Sequence, residues 1–205
     1  MKALCARPVP GSFLLLLLLL LLFLFLMIFP VHSSAELFMR TGPAAPPPAG
    51  HLAFCEKYAD ECATRFDKEA IVTLDIAIWR TLNRVNRQVN ASIRSVPDRT
   101  ESWDYPTRDA ECEDPSLTGD CEDYALLKRR LLHRAGLPLN ALLITVVPDR
   151  RKTGHAVLTV RTDRGDLVLD NMIEIIGLWE SFPYTFLLRQ SAFHTGQWVR
   201  ILRKK

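Results

Sequence analysis

The chain has 205 residues, 48% of them hydrophobic, with 26 Lys and Arg against 23 Asp and Glu, but two unlike segments share those totals. Residues 1–35 carry Lys2 and Arg7 as their only charges, and without them 170 residues remain with 24 basic and 23 acidic side chains, a net charge of about +1. That balance removes the argument for a nucleic-acid partner that the overall pI of 8.7 would make, and a chain of that length buries roughly 70% of its unfolded surface, enough for one domain but not two.

The first predicted element is an unbroken apolar run from Phe13 to Phe29, behind Lys2 and Arg7 and ahead of Ser33-Ser34-Ala35. This is the layout of a secretory signal peptide, with small residues favouring cleavage before Glu36. The run also sits at the lower edge of what spans a bilayer, so an uncleaved membrane anchor is the alternative. Both put the rest of the chain outside the cytoplasm, where disulfides persist. Cys55, Cys62, Cys112 and Cys121 then permit three pairings if all are bonded.

Thr41 to Gly50 reads TGPAAPPPAG, too rich in Pro, Ala and Gly for a helix or a paired strand, so residues 36–50 are expected to be a linker and 51–205 the folded domain. Cys55 and Cys62 stand seven positions apart. On a continuous helix they would be about 10 Å apart, beyond disulfide reach, so a bridge between them requires a bend. From Ile71 to Ile93, apolar residues at Ile71, Leu74, Ile78, Leu82, Val85, Val89 and Ile93 predict an amphipathic helix whose other face carries Arg80, Arg84 and Arg87. Pro97, Pro106 and Pro115 mark the following stretch, Asp98 to Thr118, as a long loop of the kind that is usually functional. A second helix runs from Cys121 to His133 and stops at Gly136-Leu137-Pro138. Strand-like runs follow at Leu142–Val147, His155–Arg161, Leu167–Asp170 and Trp198–Leu202. Helices first and an antiparallel meander after them make the class α+β.

The residues that bear chemistry begin with Cys121, where a Gly-Asp loop enters a helix. Unpaired N–H groups and the positive end of the helix dipole lower a thiol pKa there and favour the nucleophilic thiolate. A four-residue loop at Thr162 to Gly165 pairs Arg161 with Asp166, sets His155 opposite Met172, and leaves Asp170 one diagonal step away on the same face, within hydrogen-bonding range. Cys, His and Asp then form a nucleophile, a general base and an orienter. Blander roles exist for each: Cys121 as half of a disulfide with Cys112, nine residues upstream, His155 as a satisfied surface group with His194 next in line as base, and Asp170-Asn171 as turn chemistry.

The strings Gly119-Asp120-Cys121-Glu122-Asp123-Tyr124-Ala125 with Lys128, Gly154-His155-Ala156-Val157-Leu158 and Leu169-Asp170-Asn171, with Asn86, Asn90 and Trp103-Asp104-Tyr105-Pro106 upstream, resemble the signature of the bacterial transglutaminase-like cysteine proteinases. The resemblance covers about Leu74 to Asn171 and extends to the LapG-type periplasmic proteases that cleave biofilm adhesins. It implies a papain-like, transglutaminase-like fold with N-terminal helices packed on an antiparallel sheet, Cys121 as nucleophile, His155 as base and then acid, and Asp170 as orienter. It also implies calcium held by the acids flanking the cysteine, here Asp120, Glu122 and Asp123, and an inner-membrane regulatory receptor as a partner. Calcium asks for six to eight oxygens, so backbone carbonyls and water would complete the shell, while a first helical turn made acidic to suit the dipole explains Glu122 and Asp123 without an ion. The expected function is a periplasmic cysteine endopeptidase acting on a protein or peptide substrate, a surface adhesin in the family's terms. The alternatives are an amidase or transglutaminase acting on glutamine side chains or cell-wall peptide, and a non-catalytic calcium-binding interaction domain with Cys121 locked to Cys112.

Overall fold

In the computed structural model, described over residues 15, 16, 18, 20, 36–98, 102–108, 117–148 and 154–202, one antiparallel sheet organises the chain. Its strands are β1 (Thr41–Ala45), β5 (Leu142–Pro148), β6 (Gly154–Thr162), β7 (Gly165–Leu169), β8 (Gly177–Leu178), β9 (Leu188–Gln190) and β10 (Trp198–Ile201), in the order β1-β10-β9-β5-β6-β7-β8. A second, small sheet joins β2 (Ile93–Ser95), β4 (Leu117–Gly119) and β3 (Thr107–Arg108) in that order. The helices are α1 (Ala49–Lys57), α2 (Ala59–Cys62), α3 (Ile76–Ser92) and α4 (Cys121–Arg134). The α+β class, the meander from β5 to β7 and the strand β10 are as expected, whereas β8 and β9 carry no signal in the sequence. The leader falls almost wholly outside the described residues, as does Cys112, and among the described residues no helix is long and apolar enough to cross a membrane.

Three local readings are corrected. Residues 41–45, expected within a linker, form the edge strand β1, with Thr41 beside Ile201 and Ala44 beside Val199 and a bulge between them. An edge strand needs only one row of partners, and Pro43 falls at the bulge, where its missing N–H costs no ladder bond. The long amphipathic helix starts at Ile76 rather than Ile71, because the Asp75 carboxylate accepts the Ile78 N–H at 2.7 Å as an N-cap. Upstream of it, Val72 instead exchanges backbone bonds with Arg161 and Asp163 at the end of β6. The stretch 98–118, expected as a loop throughout, supplies β3 and the start of β4.

Helix α3 buries Leu82, Val85 and Val89 against α4 and the sheet, where they meet Leu132, Leu158 and Leu169. Helix α4 lies on β5 and β6 and ends in a Schellman arrangement. There the Leu137 N–H reaches the Leu132 carbonyl and the Gly136 N–H reaches that of His133, with Gly136 at φ +95°, where a side chain would be strained. The other sheet face, with Val157 and Val168, is covered by Trp179, Phe182 and Phe186. On that side the buried Asp166 carboxylate accepts from Arg189 Nη1 at 2.8 Å and from the Met39 N–H at 2.9 Å, tying β7, β9 and the segment before β1 together.

Tyr58, at φ −125° and ψ 60°, breaks the backbone between α1 and α2. That bend brings the Cα atoms of Cys55 and Cys62 to 5.6 Å, and the two form a disulfide. The staple steadies side chains that grip the segment after residue 101. Lys57 and Tyr58 both bind the Asp104 carboxylate, Tyr58 at 2.6 Å, and Glu61 accepts from Tyr105 at 2.8 Å and from Arg129 at 3.3 Å. Closing so short a loop removes on the order of 2–3 kcal/mol of unfolded-state freedom. Replacing both cysteines with Ala is therefore expected to lower the melting temperature by about 5–10 °C, and a reductant should lower it in the parent chain but not in the double variant.

Candidate active site

Cys121 is the first residue of α4, and a capping box holds the turn that delivers it: the Asp120 side chain accepts from the Asp123 N–H, and Asp123 does more in return. Asp123 Oδ2 accepts the Asp120 N–H at 3.3 Å, and its Oδ1 accepts the Asp104 N–H at 3.0 Å. Gly119 makes this possible, since a Cβ there would lie 2.6 Å from Asp123 Oδ2 and 2.9 Å from its Cβ. Cys121 carries a free thiol. Its Sγ accepts the Ala156 N–H at 3.4 Å and faces Glu122 Oε2 at 3.0 Å.

Ala156 is the neighbour of His155 on β6, so the same strand that touches the sulfur carries the imidazole. Leu158 pairs with Leu169 and Arg161 with Asp166, the register that the turn count gives. The ladder stops at Leu169, which leaves Asp170 just past the strand and beside His155. His155 Nε2 lies 2.9 Å from Asp170 Oδ1, with both residues buried. The same oxygen accepts the Met172 N–H at 2.9 Å, and Tyr184 donates to Oδ2 at 2.5 Å. Burial alone would raise the Asp170 carboxyl, but the His155 and Tyr184 hydrogen bonds hold it below its ordinary value. A carboxylate only accepts, so the His155 proton sits on Nε2 and Nδ1 is the nitrogen left for chemistry. Cys121 and His155 open onto one cavity of about 120 Å³, walled by Pro48, Trp103 and Val146.

The electrostatics set burial and the neighbouring acids against the helix start. The helix start alone would lower the thiol pKa, but burial pushes the Cys121 thiol well up, and the Glu122 charge and hydrogen bond push it further. Burial also pushes the Glu122 carboxyl up to about 8, with Asp120 acting in the same sense, and the Asp123 carboxyl up to about 7. Of the acids expected as a metal set, Asp120 and Glu122 are brought together and Asp123 is not, because both its oxygens serve the backbone. Asp98 takes its place: ligand atoms of Asp98, Asp120 and Glu122 all lie within 4.8 Å of one another. Asp120 Oδ1 is buried without a hydrogen-bond partner, a vacant lone pair that a hard cation suits. The second metal-like grouping, His51 with Cys55 and Cys62, is accounted for by the disulfide.

Sequence reasoning missed Asp98, which no spacing links to Cys121, and Tyr184, whose signal was only the alternating aromatics Phe182, Tyr184 and Phe186. Asn86 and Asn90 of α3 prove to be tethers: Asn90 donates to the Asp170 carbonyl at 3.0 Å and Asn86 to that of Glu174 at 2.9 Å. Lys128 is 1% exposed, and burial brings its ammonium down to about 7 against the pull of the Asp170 charge. His194, the fallback base, instead accepts the Gly196 N–H through Nδ1 at 3.1 Å, away from the cavity that holds Cys121.

A family model described as bacterial transglutaminase-like cysteine proteinase BTLCP matches residues 41–205. Among solved structures, calcium-bound LapG of Legionella pneumophila is similar at 23% identity and a TM-score of 0.50, over 62% of this chain and 72% of that one. LapG structures from the same organism also match at 26% identity and TM-score 0.47, over 60% of this chain and 67% of that one, and, EGTA-treated, at 25% and 0.48, over 62% and 70%. The first of these likenesses supports the fold. No curated protein matches the chain.

Two outcomes follow from this geometry. Gly119→Ala should push Asp123 off the helix start and cut Cys121-dependent hydrolysis at least tenfold, with a loss of stability on the order of 1–2 kcal/mol read by thermal melting; wild-type hydrolysis would show that the turn tolerates the methyl. In a chelator, alkylation of Cys121 by iodoacetamide should be slow at pH 7 and rise as the pH passes the ordinary thiol range. Because the Glu122 charge raises the thiol pKa, Glu122→Gln should move that rise to lower pH, measured as alkylated Cys121 by mass spectrometry.

Proposed function

The chain belongs to the bacterial transglutaminase-like cysteine proteinase family, which makes it a cysteine peptidase, and from that premise we propose that it is an exported endopeptidase cleaving a protein substrate through Cys121, His155 and Asp170. The observation that carries the triad is the shared cavity of Cys121 and His155, with the imidazole's far nitrogen 2.9 Å from a buried carboxylate. His155 Nδ1 takes the thiol proton as the sulfur attacks a peptide carbonyl. The N–H groups at the start of α4, that of Cys121 among them, receive the oxyanion. Collapse breaks the C–N bond as the imidazolium gives its proton to the leaving amine, and the thioester left on Cys121 is then hydrolysed by a water that His155 deprotonates. Asp170 keeps Nε2 protonated and the ring aimed throughout. The apolar leader supports a periplasmic location, and a surface adhesin is the substrate class that the family resemblance favours.

Calcium fits the same reading. Asp98, Asp120 and Glu122 offer hard oxygen donors and an orphaned Oδ1, with water and backbone carbonyls to complete the shell. Bound there, a divalent cation would neutralise the carboxylates that now oppose the Cys121 thiolate.

The purified chain is expected to cleave members of a fluorescence-quenched peptide library. Cys121→Ala should abolish cleavage with the fold intact, His155→Ala should be nearly as severe, and Asp170→Asn milder. Amine incorporation into glutamine side chains without backbone cleavage would overturn the endopeptidase reading in favour of acyl transfer. A chelator should inhibit reversibly, Ca²⁺ should restore activity better than Mg²⁺, and Asp120→Ala and Asp98→Ala should each mimic the chelator. Unchanged activity and melting temperature in excess chelator would remove calcium from the account.

A further inference from the structure

Asp170 Oδ1 is shared by His155 and the Met172 N–H, whereas Oδ2 accepts from the Tyr184 hydroxyl. Asp170 is 1% exposed, so a donor lost from Oδ2 is not readily replaced by bulk water. The tyrosine touches the imidazole as well, its ring centroid 5.7 Å from that of His155 at an interplanar angle of 59°. It is itself rigidly held, with the Phe182 ring stacked at 6.0 Å and the Phe186 ring edge-on at 6.3 Å, and both phenylalanines are buried against the sheet. One side chain therefore grips the orienting carboxylate and walls the base.

We propose, resting on the triad reading above, that Tyr184 is a positioning residue of this site, whose hydroxyl fixes and shares the Asp170 carboxylate while its ring confines the His155 imidazole. Sharing matters because His155 must both take and return a proton. A carboxylate with fewer donors keeps more charge on the oxygens facing Nε2, binds the imidazolium more tightly, and makes it a poorer acid toward the leaving amine. The other groups bearing on Asp170 are the Lys128 ammonium on α4, the Met172 N–H, and Asn90 on α3, which holds its carbonyl. None of them occupies Oδ2.

The test uses the full chain and separates hydroxyl from ring. In a Cys121→Ala background, the His155 Cε1 proton is followed by NMR against pH and assigned by its loss in His155→Ala. Tyr184→Phe is expected to move its midpoint upward by about half a pH unit or more. In the active enzyme, with a peptide from the library, the same substitution should lower kcat roughly tenfold, leaving KM within about twofold and the chain folded, with a single cooperative melting transition. Tyr184→Leu, which also removes the ring, should be worse. A His155 midpoint that stays put or falls in Tyr184→Phe, or a kcat that drops only in Tyr184→Leu, would overturn the hydroxyl's role. Full activity in His155→Ala, or a His155 midpoint indifferent to Asp170→Asn, would instead bring down the triad reading and this proposal with it.

Discussion

The site depends on the Asp123 carboxylate. Seated where Gly119 leaves room for it, it closes the first turn of α4 with one oxygen and holds the Asp104 backbone with the other. Asp104 and Tyr105 are in turn gripped by Lys57, Tyr58 and Glu61 on the disulfide-stapled helices. A continuous path of short polar contacts thus runs from the staple to the residue that carries the sulfur, and Trp103, within the gripped segment, becomes a wall of the cavity. A helix end would otherwise fray; here its first turn is over-determined by side-chain acceptors for its N–H groups.

Placing acids at that turn carries an electrostatic cost. The helix start favours a thiolate, yet burial and Glu122 oppose it more strongly, because the dipole of one helix is worth less than the desolvation of a sulfur anion beside a carboxylate. The acids are therefore not there to activate the thiol directly. Their grouping with Asp98 and the unpartnered Asp120 oxygen are the features on which the proposed cation site rests. Asp123 stands apart from them in function although adjacent in sequence, since both its oxygens are engaged by N–H groups.

The His155 and Asp170 pair is positioned by different means. Its geometry follows from strand register: a tight turn between β6 and β7 sets the pairing, and the ladder ends one residue before Asp170. The carboxylate is then free to turn back toward Nε2 while Asn90 fixes its carbonyl from α3. His155 and Asp170 thus sit on and just past one hairpin, and Cys121 on a helix packed against that same hairpin.

What the chain determined by itself was everything governed by local periodicity or short loops. This includes helix α4 and its stop at Gly136, the β6–β7 register that brings Asp170 to His155, and the need for a bend before Cys55 and Cys62 could meet. Tertiary structure alone decided the rest. Strand β1 exists because β10, far along the chain, offers it an edge. Asp98 joins Asp120 and Glu122, and Asp123 leaves them, according to which backbone N–H groups the fold brings near. Tyr184 reaches Asp170 only because the aromatic segment after β8 folds over the sheet. The division is physical: turn counts and helical spacing fix neighbours within a few residues, whereas burial, hydrogen-bond saturation and the resulting pKa values depend on contacts between residues distant in sequence, and no periodicity encodes those.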